Sequence, residues 1–155
     1  MYDVVKHYER IDKKWIDAFS KIDESASINE CMDENGALTH EFRPVWPGMR
    51  AVGAALTVRA RAGENLIIHK AITMLQPGDI LVITCDGFQE SGGMFGGIMS
   101  TVAQKRGANG LVIDGCVRDT MLMKEIQFPV WSRGINIKKS TKLTGGQINV
   151  PIVIG

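Results

Sequence analysis

Only three cysteines occur in the 155 residues, Cys31, Cys85 and Cys116, and none falls in a CxxC spacing. That supports neither a disulfide framework nor a zinc cluster, and the three read as reduced, buried small hydrophobes. No apolar run approaches the ~20 residues that cross a bilayer. The N-terminus, MYDVVKHYERIDKKW, has no signal-peptide pattern, so a cytoplasmic location without membrane contact is expected. Also missing are a Gly-Lys-Ser/Thr phosphate loop, a GxGxxG turn after a strand and a recognisable S-adenosylmethionine-binding loop. No dense Lys/Arg run with interleaved aromatics is present, and nucleic acid is therefore not an expected partner. The three histidines, His7, His40 and His69, form no metal-ligand spacing. His69 reads as a packed or surface residue of a helix.

What remains is the composition of an ordinary globular chain, 45% hydrophobic and 23% charged, long enough to bury about 68–70% of its unfolded surface. The net charge of +1 is unevenly spread. Residues 1–41 hold five Lys/Arg and ten Asp/Glu, whereas residues 42–155 hold thirteen and seven. A body with a net of +6 suits an acidic small molecule.

The N-terminal segment carries Ile11, Trp15, Ala18, Phe19 and Ile22 at helical spacing, which predicts an amphipathic helix over 11–22. A second short helix is expected from Ile28 to Asn35, stopped by Gly36. After Pro44-Val45-Trp46-Pro47-Gly48 the period becomes two. Val52, Ala54, Leu56, Val58 and Ala60 form the inward face of a strand. Asn65 is expected to cap a helix over 66–75, broken by Pro77-Gly78. Apolar runs at 79–85 and 110–114 predict buried strands, with a helix over 98–106 between them. A helix over 120–126 and strands over 129–132 and 147–154 complete the pattern. Strands alternating with helices make this a single α/β domain with a partly parallel sheet. The chain stops within INVPIVIG; either this strand ends the fold or a C-terminal piece follows.

Two strand-to-helix loops carry the chemistry. Residues 86–97, DGFQESGGMFGG, hold five glycines and open into a helix, so the amides of Gly96, Gly97, Ile98 and Met99 can receive a carboxylate or phosphate. Residues 114–119 end in Arg118-Asp119. Arg offers a planar donor fork for a carboxylate, and Asp offers hard oxygen to a divalent cation. Both loops lie at the carboxyl ends of neighbouring strands, where open α/β sheets bind ligands. Taken alone, Arg-Asp is equally a local surface ion pair. The methionines, including Met94, Met99, Met121 and Met123, read as core fillers.

The run Gly96-Gly97-Ile98-Met99, a helix, the strand GLVIDG and Arg118-Asp119 resembles the RraA-like family, as do PGD at 77–79, RGANGLVIDGCVRD at 106–119 and PVWSRG at 129–134. That family holds the class II 4-hydroxy-4-methyl-2-oxoglutarate/4-carboxy-4-hydroxy-2-oxoadipate aldolases and the RraA ribonuclease regulators. The resemblance implies a layered β/β/α swivelling-type domain with N-terminal helices, assembled as a homotrimer or homohexamer with its site at a subunit interface. It implies that Gly96, Gly97, Ile98, Met99 and Arg118 contact a 2-keto acid and that Asp119 binds Mg²⁺ or Mn²⁺. Lys142 would then meet the distal carboxylate, with Arg133 a weaker candidate. The implied activity is pyruvate release by a metal-dependent carbon–carbon lyase, as an aldolase or an oxaloacetate decarboxylase, with Arg118 catalytic. The alternatives are a non-catalytic regulator binding a ribonuclease or helicase, and an enzyme on another acidic substrate. Two departures matter. The aldolases usually carry an acid where this chain has Gly97, and many have one where it has Leu122. Glu90 or Asp86 would be the substitutes from the same loop.

Overall fold

Parallel pairing of apolar strands sets the architecture. The computed structural model describes residues 3–86 and 92–155, so Glu90 lies outside the described residues. In chain order the elements are β1 (Asp3–Val4), α1 (Lys13–Phe19), α2 (Ser25–Cys31), β2 (Arg43–Pro44), β3 (Ala54–Arg59), α3 (Leu66–Ile72), β4 (Asp79–Thr84), β5 (Gly93–Phe95), α4 (Gly97–Lys105), β6 (Gly110–Val117), α5 (Thr120–Glu125), β7 (Val130–Ile135) and β8 (Gln147–Ile148). The strands form one sheet in the order β1-β8-β3-β4-β6-β7-β2, with β5 paired to β6 off that path. Strands β3, β4, β6 and β7 run parallel, and β2 and β8 pair antiparallel to β7 and β3. This is the α/β domain with N-terminal helices that the pattern predicts.

The core follows the period-two strand and the two apolar runs. Leu56, Val58, Leu81, Ile83, Leu111 and Ile113 are buried together with Ile67, Ile68, Ala103, Met123 and Phe128 of the helical side. Burying such a side chain is worth ~1.5–3 kcal/mol. Strand β6 splits its partners. Gly110–Ile113 pairs with β4, whereas Cys116 and Val117 pair with β5. A register irregularity against β7 lies between Ile113 and Cys116. That split opens the sheet edge where the two loops meet.

Several expectations are corrected. Helix α1 is shorter than the predicted 11–22, running Lys13–Phe19; Ile11, Trp15, Phe19 and Ile22 are all exposed and α1 flanks a groove shared with Ile80 and Trp131. Helix α2 ends at Cys31, with the turn at Gly36 in a left-handed conformation five residues on. Cys31 is exposed; Cys85 and Cys116 are buried. Met121 is exposed while Met94, Met99 and Met123 are core. The last strand is only Gln147–Ile148, and β1 and β2, too short to show a period, were not foreseen; Gly93–Phe95, read as loop, is strand β5, and β6 runs on to Val117, past the predicted end at 114. Among the described residues no helix is long and apolar enough to cross a membrane.

Candidate functional site

The site is built where β6 ends. Asp119 adopts a left-handed backbone, φ 60° and ψ 37°, a conformation that Asp tolerates better than most residues. The bend stops β6 and starts α5 within one residue. It also frees the Asp119 side chain from capping its own helix and sends it across to α4. There Oδ2 accepts a hydrogen bond from the Gly97 amide at 2.9 Å. A carboxylate from α5 thus caps the N-terminus of α4, where unpaired amides and the helix dipole favour negative charge.

Arg118 is fixed at its backbone by donation to the Phe95 carbonyl, 2.9 Å. Its Nε lies 3.9 Å from Asp119 Oδ2, and the two side chains are 40% and 52% exposed. At that exposure the pair adds little stability, so its value lies in placing opposite charges at one mouth. Gly96 explains the close packing. Its backbone is extended, yet an added Cβ would lie 2.8 Å from Asp119 Oδ2 and 3.0 Å from Arg118 Nε. The glycine is needed for approach, not for φ.

Gly96, Ile98, Met99, Arg118, Asp119 and Lys142 line one cleft of about 170 Å³, together with Asn65, His69, Gly93 and Met94. That is below the ~300–1,000 Å³ of drug-sized sites and suits a small organic acid. Gly97 lies behind the lining. Its amide is given to Asp119, which leaves the first-turn amides of Ile98 and Met99 without intrahelical acceptors. Arg133 is elsewhere, bonded to Asp114 at 2.9 Å and to Glu41. Asp86 pairs with Arg59 at 3.7 Å and does not line the cleft.

The structure adds two residues to the cleft. Asn65 does not cap α3 with its side chain. Instead Nδ2 donates to the Met94 carbonyl at 3.1 Å, and Oδ1 is buried with no partner among the described residues. An unmatched buried acceptor costs ~1–3 kcal/mol, and such atoms mark places where a further group completes the network. In sequence, Asn before a helix reads as a cap, which concealed this. His69 lines the same cleft. Burial, and then the positive charge of Lys142, hold its pKa below the ordinary value, so the ring is neutral near pH 7.

Among the described residues no three His, Cys, Asp or Glu side chains gather into a metal cluster. Asp119 is nevertheless a half-exposed carboxylate in the cleft that Asn65 also lines. That suits a hard cation anchored by one protein carboxylate and completed by ligand and water, as Mg²⁺ commonly is.

The positions of the two departures are coupled. A Cβ on Gly97 would fall 2.5 Å from Leu122 Cδ2 and 3.3 Å from Asp119 Cβ. Leu122 therefore fills the space that an acid at 97 would need.

The sequence profile described as RraA-like, Aldolase/RraA, matches residues 16–155. A Halalkalibacterium halodurans protein named "Putative 4-hydroxy-4-methyl-2-oxoglutarate aldolase" is 35% identical over 128 residues, which is 83% of this chain and 60% of that one. An Arabidopsis thaliana protein named as the third such aldolase is 28% identical over 134 residues, covering 85% and 80%. The solved structure titled as the RNA-processing inhibitor RraA from Thermus thermophilis superimposes with a TM-score of 0.75 at 24% identity, over 84% of this chain and 79% of that one. The chain thus spans about three fifths of its Halalkalibacterium relative's length. With the profile covering nearly all of it and the strand order placing Arg118-Asp119 against the glycine turn, this chain belongs to the RraA-like family of aldolases and RraA proteins.

Proposed function

We propose that the cleft binds a 2-keto acid and that the protein is a divalent-metal-dependent carbon–carbon lyase, releasing pyruvate as a 4-hydroxy-4-methyl-2-oxoglutarate aldolase or an oxaloacetate decarboxylase. The observation that carries this reading is the convergence of Arg118, Asp119 and the N-terminus of α4 on one small cleft. The names of the relatives support the aldolase class.

The ligand carboxylate meets the amides of Ile98 and Met99 and the guanidinium of Arg118. These are preorganised donors that cost no reorganisation when charge develops. Asp119 is the side chain to hold Mg²⁺ or Mn²⁺, which when bound supplies Lewis-acid polarisation of the 2-keto group. Arg118 stabilises negative charge developing on the ketone oxygen as the carbon–carbon bond breaks. Lys142 receives the distal carboxylate, and neutral His69 beside it adds no competing charge. Neither Gly97 nor Leu122 can transfer a proton, so in the aldol cleavage water takes the proton of the 4-hydroxyl and returns one to the product carbon, decarboxylation needs only the second transfer, and turnover is slower than with a positioned acid, a factor of typically 10²–10⁴. The exposed Ile98, which lines the cleft, and the exposed Val102, Met121 and Leu143 of the segments that carry it support assembly into a homotrimer or homohexamer around the site.

The test is coupled detection of pyruvate from 4-hydroxy-4-methyl-2-oxoglutarate and from oxaloacetate, with and without Mn²⁺. Metal-dependent release, absent in Asp119→Ala, is expected. No release from metal-loaded wild type would defeat the reading. The packing of Leu122 against Gly97 favours a second one, a regulator that retains the binding cleft without turnover. A pull-down recovering a ribonuclease or helicase from an inactive protein would support it.

A further inference from the structure

The segment that carries Lys142 has no regular secondary structure of its own, yet it is tied down at two ends. Near its start the Lys138 carbonyl accepts from the Gly93 amide at 2.8 Å, and Ser140 Oγ donates to the Gly93 carbonyl at 3.3 Å. At its other end everything converges on Glu64, the residue just before Asn65 and almost fully buried. Glu64 Oε1 accepts from the Thr141 hydroxyl. Its Oε2 accepts from the Leu143 amide at 2.8 Å and the Thr144 amide at 3.3 Å. The backbone repeats the grip, with the Thr141 amide on the Gly63 carbonyl at 2.8 Å and the Asn65 amide on the Thr141 carbonyl at 3.0 Å.

Lys142 is the one residue between Thr141 and Leu143, so the two arms of one carboxylate bracket it. Charge-assisted bonds of this kind are roughly twice as strong as neutral ones. A lysine left alone would spread its ammonium over many rotamers, at ~2 kcal/mol of side-chain entropy on ordering; the bracket at least fixes its Cα over the cleft.

We infer that Glu64 is a positioning residue: its carboxylate clasps the 141–144 segment and thereby aims Lys142 at the second carboxylate of a dicarboxylic 2-keto acid, setting the preference for dicarboxylates over monocarboxylates. This rests on the proposed 2-keto acid reading. It concerns selectivity and leaves the pyruvyl end, held by Arg118 and α4, unaffected.

The experiment compares the dissociation constants of pyruvate and 2-oxoglutarate, by calorimetry with Mg²⁺, in wild type, Glu64→Ala, Glu64→Gln and Lys142→Ala. Wild type should prefer 2-oxoglutarate. Glu64→Ala should erase most of that preference, tenfold or more, while pyruvate binds within about twofold of wild type. Lys142→Ala should do the same, and the double variant should lose nothing further, as two residues acting through one contact require. Glu64→Gln keeps one acceptor and should recover part of the preference. A Glu64→Ala protein that keeps its preference, or loses pyruvate as badly as 2-oxoglutarate, overturns the inference. Amide hydrogen exchange at Leu143 and Thr144 separates the two layers. Fast exchange in Glu64→Ala with no 2-keto acid bound even by wild type refutes the ligand reading and the selectivity role with it, but upholds the clasp. Unchanged protection refutes the clasp itself.

Discussion

Asp119 does two jobs that substitution can separate. Its carboxylate caps α4 through Gly97, and in the proposed function it also holds the cation. Asp119→Asn keeps an oxygen for the cap and should melt within about 1 kcal/mol of wild type, whereas Asp119→Ala should lose ~0.5–2 kcal/mol, as cap removals do. Both should abolish metal-dependent pyruvate release; thermal melts and the coupled assay read the two effects independently. Gly97 sets a second case. The atom its Cβ would strike is the far end of the Leu122 side chain, so Gly97→Asp alone forces Leu122 aside. Gly97→Asp combined with Leu122→Ala gives the acid room. If proton transfer limits turnover, the double variant should raise kcat by tenfold or more, and the single variant less. A double variant no faster than wild type would show that proton transfer is not limiting. Glu64 adds a pH signature. Its hydrogen bond from Thr141, reinforced by the amides of Leu143 and Thr144, lowers its pKa in the folded protein. A lowered folded pKa stabilises above the unfolded value, ~4.3, and that contribution disappears as pH falls through the lowered one. The drop in melting temperature from about pH 5 to about pH 3 should therefore be shallower in Glu64→Gln than in wild type.

At the scale of elements, the parallel centre of the sheet was open to reading and its margins were not. Strand β3 announces itself through the period-two positions Leu56 and Val58, and β4 and β6 as short apolar runs that carry Leu81, Ile83, Leu111 and Ile113 into the core. Strands β1 and β2 hold two residues each, too few for any period, and exist because β8 and β7 offer free edges. Helix α1 was legible as a helix from its regular stripe, but periodicity shows only that a face can be buried, and within one chain that face is exposed. The same holds for the site. Arg118-Asp119 and the glycine turn were legible from residue type and motif. Asn65 and Glu64 were not, since a cap and a surface acid look alike in sequence until the 136–144 segment folds back on them. Where backbones meet, the elements are least tolerant. A Cβ at Gly53 would overlap the Gly78 carbonyl, where β3 and β4 begin side by side, and a carbonyl in a ladder cannot rotate away as a side chain can. Gly53→Ala is expected to cost ~1–3 kcal/mol, the range for overpacking, read as a shift of the urea midpoint at unchanged slope.

For the whole molecule, the charge split seen in sequence is partly spent inside the fold. The acidic N-terminal segment is held by ion pairs to the body: Arg10 to buried Asp79, Asp23 to Arg50, and Glu41 to Arg133. Arg50 also donates to the Ser20 carbonyl at 2.8 Å and the Ile22 carbonyl at 2.5 Å, at the end of α1. Since neither α1 nor α2 buries a residue, this segment depends on those polar ties and belongs to the low end of local stability. Arg50→Ala should accelerate proteolytic cleavage within residues 11–36 severalfold while moving the global melting temperature little. Equal acceleration throughout the chain would show that the segment and body unfold as one. The same exposure bears on assembly. Ile98, which lines the cleft, and Met121, two residues beyond Asp119, are 82% and 77% exposed, and exposed apolar surface of this kind marks contact sites where it is contiguous. If copies of the chain meet there, Ile98→Asp with Met121→Asp should shift the mass measured by light scattering from a trimer or hexamer towards the 17.0 kDa monomer. Ligand affinity should weaken in the same variant, because a cleft closed by a neighbour loses its wall when the neighbour leaves. A monomeric wild type, or a double variant of unchanged mass, would place the subunit contact elsewhere and leave the cleft complete within one chain.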